Sequence, residues 1–147
     1  MERTLIILKP DTVQRGLMGR VISRFEDRGF KIIGFKFARL SEETAEELYA
    51  PHKGKPFYPP LIEYITSGPV LAVALEGHDV IEEVRTMMGK TNPREAAPGS
   101  IRGDFGQRME FNVIHGSDSP ESVKRELPVF FSPDDLVKYD MDKSRWS

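Results

Sequence analysis

Cysteine is absent from this 147-residue chain, and its absence excludes three kinds of chemistry. Disulfide bonds, thiolate nucleophiles and thiolate-bound metals all require the cysteine sulfur. A chain without disulfides suits a reducing compartment, and we therefore expect a cytoplasmic protein. The first apolar run, Leu5–Leu8, is too short for a secretory signal, and no apolar stretch approaches the ~20 residues of a membrane span. We expect no membrane contact.

Neither sign of charge is in large excess. Lysine and arginine together number 21, aspartate and glutamate 23, so the formal net charge is −2 at pH 7. The overall field of such a chain does not attract nucleic acid or anionic lipid, and any anion site must be built locally. We therefore expect no required nucleic-acid partner. The charged fraction of 30% and the hydrophobic fraction of 39% are typical of one globular domain.

Common nucleotide- and metal-binding motifs are missing too. The chain has no Walker A sequence, no protein-kinase glycine loop and no Gly-x-Ser-x-Gly elbow. It has no His-x-x-x-His pair and no compact carboxylate cluster, so we expect no metal site made by protein ligands alone. If the protein binds phosphate groups, it uses a phosphate-binding site of another kind.

The apolar pattern predicts an α+β domain over residues 1–137. Strands are predicted at residues 5–8, 31–40, 70–75 and 111–114. The second strand should place Ile33, Phe35 and Phe37 on one face. Helices are predicted from Met18 to Gly29 and after Ser41, Pro60, Asp79 and Ser119. The core order βαββαβ predicts a ferredoxin-like, four-stranded antiparallel sheet with helices on one face, plus inserted helices and a long loop at residues 89–110.

Residues 138–147 are predicted to form a polar C-terminal tail. This tail contains Trp146, the only tryptophan of the chain. A tail that carries a large aromatic side chain is best explained if that side chain docks on a surface. We therefore expect Trp146 to be at least partly buried, against the body of the domain or a neighbouring subunit.

His115 is the strongest candidate for a reactive side chain. It follows a predicted strand and precedes Gly116, Ser117 and a helix whose N-terminus favours an anion. Glu126 lies about two turns along that helix and could turn back to orient the imidazole. An oriented imidazole is a competent nucleophile near neutral pH, which suggests phosphoryl transfer. The alternative is a strand-end histidine held by a backbone partner.

Several loop residues could bind a phosphorylated ligand. The guanidinium of arginine binds two phosphate oxygens at once, which suits Arg85 and Arg102. Lys9 and Thr91 could add further donors to the same phosphate site. Any one of these alone is more often a solvated surface residue. Phe57, in a basic and proline-rich loop, could stack on a nucleobase, or could instead anchor its loop in the core.

Taken together, these segments resemble the nucleoside diphosphate kinase family. The run Asn-x-x-His-Gly-Ser-Asp-Ser at residues 112–119 is similar to the active-site signature of that family. Five further blocks are similar to conserved family segments and occur in family order, at residues 2–11, 13–16, 67–70, 89–93 and 98–105. The sequence departs from the family pattern at Pro51, Thr12 and Phe111.

The resemblance implies an enzyme that moves the terminal phosphate of a nucleoside triphosphate to a nucleoside diphosphate in two half-reactions. It implies that His115 is phosphorylated on Nδ1 and that Glu126 and Ser117 orient or polarise the site. It also implies Mg²⁺ carried by the nucleotide phosphates and a homo-oligomer, a hexamer built from dimers.

The same resemblance assigns a role to each remaining residue of the nucleotide site. Phosphate binding is implied for Arg85, Thr91, Arg102 and His52. Ribose binding is implied for Lys9 and Asn112, stacking on the base for Phe57 with Met109 opposite, and support of Lys9 and the phosphate region for Tyr49. A stacked base is read through its face, which implies tolerance of different bases.

Two alternatives to this function remain open at this point. The first is a phosphohistidine carrier or regulatory protein without nucleotide exchange. The second is a nucleic-acid-binding ferredoxin-like domain, which lacks support because no RNP1-like aromatic and basic run is present. The signature also poses a geometric problem, because Asn112 and His115 would face opposite sides of an extended strand. We therefore expect the strand to end or bend at His115.

Overall fold

The computed structural model describes residues 1–142 and Trp146. The strands within these residues are β1 (Glu2–Leu8), β2 (Lys31–Arg39), β3 (Pro69–Gly77) and β4 (Ile114–Gly116). The helices are α1 (Pro10–Gln14), α2 (Met18–Arg28), α3 (Glu42–Leu48), α4 (Tyr58–Ile65), α5 (Val80–Met88), α6 (Ile101–Phe105) and α7 (Pro120–Phe130). Single turns of 3₁₀ helix occur at Ala50–His52, Pro93–Glu95 and Pro133–Asp135.

The four strands form one antiparallel sheet in the order β2-β3-β1-β4. This order and the βαββαβ core confirm the predicted ferredoxin-like α+β fold. Strand β1 lies inside the sheet, and Leu5–Leu8 are completely buried. Each of these side chains contributes about 1.5–3 kcal/mol through burial. The continuous aliphatic run is thus explained by a strand that is covered on both faces.

The prediction that helices cover only one face of the sheet is wrong. Alternate residues of β1 enter two separate cores, Ile6 and Leu8 on one face and Leu5 and Ile7 on the other. Helices α2, α5 and α6 pack on the first face, and α3, α4 and α7 pack on the second. The inserted helices α3 and α4, together with α7, therefore form a second helical layer.

Three of the predicted helix ends are confirmed. Gly29 ends α2 with a left-handed φ of 102°, and Ser41 and Ser119 accept backbone N–H groups as N-caps of α3 and α7. The capping box predicted at Asp79 is wrong, because its side chain caps nothing. Glu2 replaces it, since its Oε1 accepts the N–H of Ile81 at 3.0 Å.

Strand β2 differs from the alternation that its sequence predicts. The pairing with β3 shifts register between Ile32 and Gly34, so Ile33 is an extra residue in a bulge. A one-residue shift reverses which face the following side chains occupy. Ile33 is therefore buried, whereas Phe35 and Phe37 are each 56% exposed at this edge strand.

The end of the domain and the beginning of the tail lie along β2. The backbone N–H of Val137 donates to Ile33 O at 2.8 Å, Lys31 Nζ donates to Tyr139 O at 2.5 Å, and the Tyr139 hydroxyl donates to Ile32 O. Trp146 is 76% exposed, so the body of this chain does not bury it. Its docking on a neighbouring subunit stays a prediction. The rest of the predicted tail, residues 143–145 and 147, lies outside the described residues.

Candidate active site

A single open cavity of about 1320 Å³ brings the predicted site residues together. Eleven of these residues line it, namely Lys9, Tyr49, His52, Phe57, Arg85, Thr91, Arg102, Met109, Asn112, His115 and Glu126. The twelfth, Ser117, is not on the wall. It is buried behind the wall, where its Oγ donates to Glu126 Oε1 at 2.9 Å.

A sharp turn at Val113 allows Asn112 and His115 to line the same cavity. The N–H of Ile114 donates to the carbonyl of Asn112 at 2.8 Å, and Val113 between them has a φ of 76°. This is a γ-turn with a positive central φ, which is rare and strained for a β-branched residue. The bend therefore lies at Val113 and not at His115 as predicted. The fourth strand is confirmed, but the predicted bounds 111–114 are shifted, since β4 begins at Ile114 and contains His115.

Arg102 holds both sides of this turn. Its Nε donates to Asn112 O at 3.1 Å, its Nη2 to Ile114 O at 2.6 Å and its Nη1 to Gly89 O at 3.1 Å. Burial and the nearby charge of Arg85 lower the pKa of Arg102 to about 10, so it stays charged at neutral pH. Three of its five N–H groups are thus committed to backbone carbonyls, and the others remain for a ligand.

The first helical turn after β1 supports the same γ-turn. Thr12 Oγ1 donates to Val113 O at 2.7 Å, the N–H of Lys9 donates to it at 2.9 Å, and Asp11 Oδ2 accepts the N–H of Val113 at 3.2 Å. Thr12, one of the departures from the family pattern, therefore adds a donor to the strained turn. Strain of this kind persists only where the surroundings fix it.

Glu126 orients the imidazole of His115. Its Oε1 lies 2.6 Å from His115 Nε2, and its Oε2 accepts from Arg125 Nη2 at 2.9 Å. Burial opposes ionisation of Glu126, but the hydrogen bonds from His115 and Ser117 and the charge of Arg125 prevail and lower its pKa. An ionised carboxylate only accepts, so Nε2 carries a proton, and in the neutral ring Nδ1 carries the lone pair.

A row of aromatic rings leads from His115 to the mouth of the cavity. Tyr49 meets His115 edge-on at 5.8 Å and lies 6.1 Å from His52, and His52 lies 5.3 Å from Phe57. Among the described residues, Tyr49 Oη and His52 Nδ1 are buried without a hydrogen-bond partner. Burial and the charge of Glu126 raise the pKa of Tyr49, which keeps its hydroxyl as a donor. Burial and Lys55 lower the pKa of His52.

Lys9, Asn112 and Thr91 form a second hydrogen-bonded chain. Lys9 Nζ donates to Asn112 Oδ1 at 2.7 Å, and Asn112 Nδ2 donates to Thr91 O at 3.1 Å. Burial and the charge of Arg102 lower the pKa of Lys9 to about 7, against a smaller opposing effect of Asp11. A lysine whose pKa lies near neutrality becomes easier to protonate when an anion binds next to it.

The outer part of the cavity consists of exposed side chains. Phe57 is 49% exposed and Met109 55% exposed, so Phe57 does not anchor its loop in the core.

Arg85 reaches the site from α5, and its Nη1 donates to Gly116 O at 3.2 Å. A Cβ on Gly116 would collide with Met88 Sδ, so glycine allows α5 to lie this close to β4.

Tyr64, Phe111 and Arg125 also line the cavity, but their roles there were not predicted from the sequence. The hydroxyl of Tyr64 donates to Asp11, and its ring lies 5.1 Å from Phe111, whose ring in turn lies 5.0 Å from the guanidinium of Arg108. Arg125 contacts Glu126 from the adjacent helix position. Tyr64 sits on an apolar helix face and Arg125 on a charged one, so neither pattern indicates a site. A departure from the family pattern at Phe111 was the only available signal.

Comparisons with known proteins agree on one family. A family model described as nucleoside diphosphate kinase matches residues 2–136. The nucleoside diphosphate kinase of Pelotomaculum thermopropionicum is 55% identical over 99% of this chain and 98% of its own length. That of Archaeoglobus fulgidus is 52% identical over 99% and 97%.

Solved structures give the same answer. The structure of a halophilic nucleoside diphosphate kinase from Halobacterium salinarum in complex with CDP superimposes with a TM-score of 0.96, at 49% identity, over 99% of this chain and 97% of the other. The Aquifex aeolicus nucleoside diphosphate kinase gives a TM-score of 0.91, at 45% identity, over 92% and 99%. Across residues 1–142 and 146, no helix has the length and apolar character needed to cross a membrane.

Proposed function

The chain belongs to the nucleoside diphosphate kinase family, and from that premise we propose that His115 carries the phosphoryl group between the two nucleotides. The enzyme is a phosphotransferase that moves the terminal phosphate of a nucleoside triphosphate to a nucleoside diphosphate. The hydrogen bond of 2.6 Å between His115 Nε2 and Glu126 Oε1 supports the assignment, because it leaves Nδ1 as the nucleophile.

In the first half-reaction, Nδ1 of His115 attacks the terminal phosphorus. The N–P bond forms while the bond from phosphorus to the bridging oxygen breaks, and the electron pair leaves with the diphosphate. The ring keeps its proton on Nε2 and becomes cationic, and Glu126 offsets that charge. The second half-reaction runs the same steps in reverse with a new diphosphate, which gives ping-pong kinetics.

Phosphoryl transfer depends mainly on position and positive charge. We assign the phosphates to Arg85, Arg102, Thr91, His52 and the Tyr49 hydroxyl. The unpartnered Tyr49 Oη and His52 Nδ1 support this, since buried polar atoms normally have a partner and here a phosphate oxygen or its proton can provide one.

The nucleoside is assigned to the other end of the cavity. Lys9 and Asn112 would bind the ribose hydroxyls, and the base would lie between Phe57 and Met109. The half-exposed ring of Phe57 supports the stacking role. A relative that superimposes closely was solved with CDP, a nucleoside diphosphate.

We propose that Mg²⁺ enters with the nucleotide. Among the described residues, no group of three or more His, Cys, Asp or Glu side chains could hold a metal ion. Phosphate oxygens would therefore supply most of the ligands, and Asp118 on the cavity wall is the carboxylate nearest in sequence to His115. When bound, Mg²⁺ offsets phosphate charge; the transfer itself runs between phosphorus and His115.

A homo-oligomer, specifically a hexamer built from dimers, is the proposed assembly. Phe35 and Phe37 on the edge strand β2 are each 56% exposed, and Trp146 is 76% exposed. Large apolar side chains at an edge strand favour contact with another chain. On this proposal residues 1–137 form the catalytic domain and the tail docks on a neighbouring subunit. The proposed location is the cytoplasm.

Labelled nucleotide tests the assignment of His115. The protein is incubated with γ-labelled ATP and no acceptor, and then with GDP. We expect an acid-labile, base-stable label that GDP converts to labelled GTP. His115→Ala should take up no label, whereas the control His78→Ala, at an exposed loop histidine, should label fully. Label on His115→Ala, or label that GDP cannot discharge, would contradict the proposal.

A further inference from the structure

Arg125 connects the catalytic carboxylate to another helix. Its Nη2 donates to Glu126 Oε2 at 2.9 Å, and its Nη1 donates to the carbonyl of Leu48 at 3.0 Å. Leu48 is the last residue of α3, and Tyr49 follows it directly. One guanidinium therefore joins α7, the end of α3 and the carboxylate that holds His115.

We propose that Arg125 is a positioning residue that fixes the Glu126 carboxylate, so that Oε1 always faces His115. The inference rests on the proposed role of His115 and adds a residue to it. The geometry of the three donors around the carboxylate supports it, as does the hydrogen bond that anchors Arg125 to Leu48 O.

The two oxygens of Glu126 have different partners. Oε1 accepts from His115 at 2.6 Å and from Ser117 at 2.9 Å, whereas Arg125 is the donor to Oε2. The last side-chain torsion of glutamate is broad and roughly two-fold, so the carboxylate needs a partner on each side to stay in one orientation. Glu126 is only 4% exposed, and water is a poor substitute for that partner.

The contact between Arg125 and Glu126 is not an automatic result of helix geometry. Side chains at adjacent helix positions do not face each other. The second hydrogen bond, to Leu48 O, holds the guanidinium across the end of α3. That carbonyl is one of the last of its helix and lacks an intrahelical partner, and the negative end of the helix dipole attracts a cation there.

An arginine suits this position better than a lysine. The planar fork of arginine presents two N–H groups in fixed directions, one for each acceptor. The side chain of Arg125 is 39% exposed, so the ion pair alone contributes little to stability. Its effect should therefore appear in the reaction more than in folding.

The charged and titratable groups around Glu126 come from three elements. They are His115 on β4, Tyr49 and His52 after α3, and Arg125 on α7 itself. Loss of Arg125 removes a positive charge that lowers the pKa of Glu126, so that pKa should rise. The acid limb of the phosphorylation rate should then move to higher pH.

The experiment compares Arg125→Met, Arg125→Gln and Arg125→Lys with Lys124→Met, an exposed residue of the same helix. Presteady-state phosphorylation by ATP is measured from pH 5 to 9. Arg125→Met and Arg125→Gln should lower the phosphorylation rate about tenfold at neutral pH, with KM changed little. They should also move the acid limb of the pH–rate profile to higher pH by about one unit. Arg125→Lys keeps the positive charge and should restore the acid limb to its original pH. Lys124→Met should behave like the unaltered protein.

A second measurement is independent of catalysis and of how well the Met variant folds. Nitrogen chemical shifts of the His115 ring report which nitrogen carries the proton. The unaltered protein should show the Nε2–H form alone, and Arg125→Gln, which can still donate to Leu48 O, should show a mixture of both forms. An unchanged ring and acid limb, or a loss confined to KM, would overturn the proposal and make Arg125 a phosphate contact at most. Failure of His115 to phosphorylate in the unaltered protein would instead overturn the proposed function.

Discussion

The inner end of the cavity and its mouth differ in how far their side chains are already held in place. At the inner end, His115, Ser117 and Glu126 are linked by bonds of 2.6 and 2.9 Å, and Ser117 and Glu126 are almost completely buried. At the mouth, Phe57 and Met109 are about half exposed.

On the proposed function, the two regions contribute to different parts of catalysis. Hydrogen bonds within the protein hold the inner end in one geometry, and such preorganisation lowers the barrier of the chemical step. The mouth offers flat or flexible surfaces that a nucleotide can order, which affects binding. Changes at the inner end should therefore lower kcat, and changes at the mouth should raise KM.

Replacement of Glu126 should have the largest effect. Glu126→Gln keeps the shape of the side chain, but it removes the charge that fixes the Nε2–H form and offsets the cationic ring. We expect kcat to fall about a thousandfold with little change in KM. Steady-state kinetics with ATP and a diphosphate acceptor measure both. Glu121→Gln, on the same helix at the cavity rim, serves as the control and should keep nearly the original activity. If Glu126→Gln changes KM alone, the assignment of kcat effects to the inner end is wrong.

Arg102→Lys should weaken the γ-turn at Val113 and lower kcat. A lysine keeps the charge but cannot donate to three carbonyls in different directions. We expect a loss of about 3 kcal/mol in the free energy of unfolding, because buried carbonyls lose their donors, and a fall of about a hundredfold in kcat. Urea denaturation and kinetics test this. Arg20→Lys, at an exposed position of α2, serves as the control, and equal stability of the two variants would show that the γ-turn does not depend on Arg102.

Phe57→Ala tests the mouth. Loss of a stacking surface should raise KM about tenfold for every nucleotide, while kcat stays within about threefold. Phe57→Trp, which keeps a stacking face, should restore KM. A fall in kcat that Trp does not rescue would mean that the mouth also positions the reacting phosphate.

The smallest expected effect concerns pH and the buried Lys9. Its pKa is lowered from 10.5 to about 7 in the folded protein. Below pH 7 both folded and unfolded forms are protonated and burial of the charge destabilises the fold; above pH 7 the folded form loses its proton first, so stability rises. We expect a gain of about 1 kcal/mol per pH unit from pH 7 to 9 without nucleotide. Lys9→Met, measured by urea denaturation beside the unaltered protein, should not show this gain.

The sequence predicted those parts of the fold where local signals and tertiary structure agree. The aliphatic run Leu5–Leu8, the glycine at position 29 and the serines at 41 and 119 each act locally as their residue types favour. The site residues were found through motif blocks, since a signature fixes spacing and residue type together.

The missed features all depend on distant contacts. A valine at φ 76° contradicts its local preference. It is stabilised there by Arg102 and by Lys9, Asp11 and Thr12, about a hundred residues earlier in the chain. The N-terminus of α5 is capped by Glu2, which lies on strand β1. The bulge at Ile33 becomes visible only in the pairing of β2 with β3. Arg125 gains its place from Leu48 O, which sequence spacing does not reveal.

The central claim is that Glu126 fixes the His115 ring so that Nδ1 reacts. Identification of the phosphohistidine isomer tests this most directly. The protein is phosphorylated with ATP in the absence of acceptor, kept at alkaline pH, and examined by phosphorus–nitrogen correlated NMR on a ¹⁵N-labelled sample. We predict that phosphorus couples to Nδ1 of His115 alone. Phosphate on Nε2, or on any other side chain, would contradict the account.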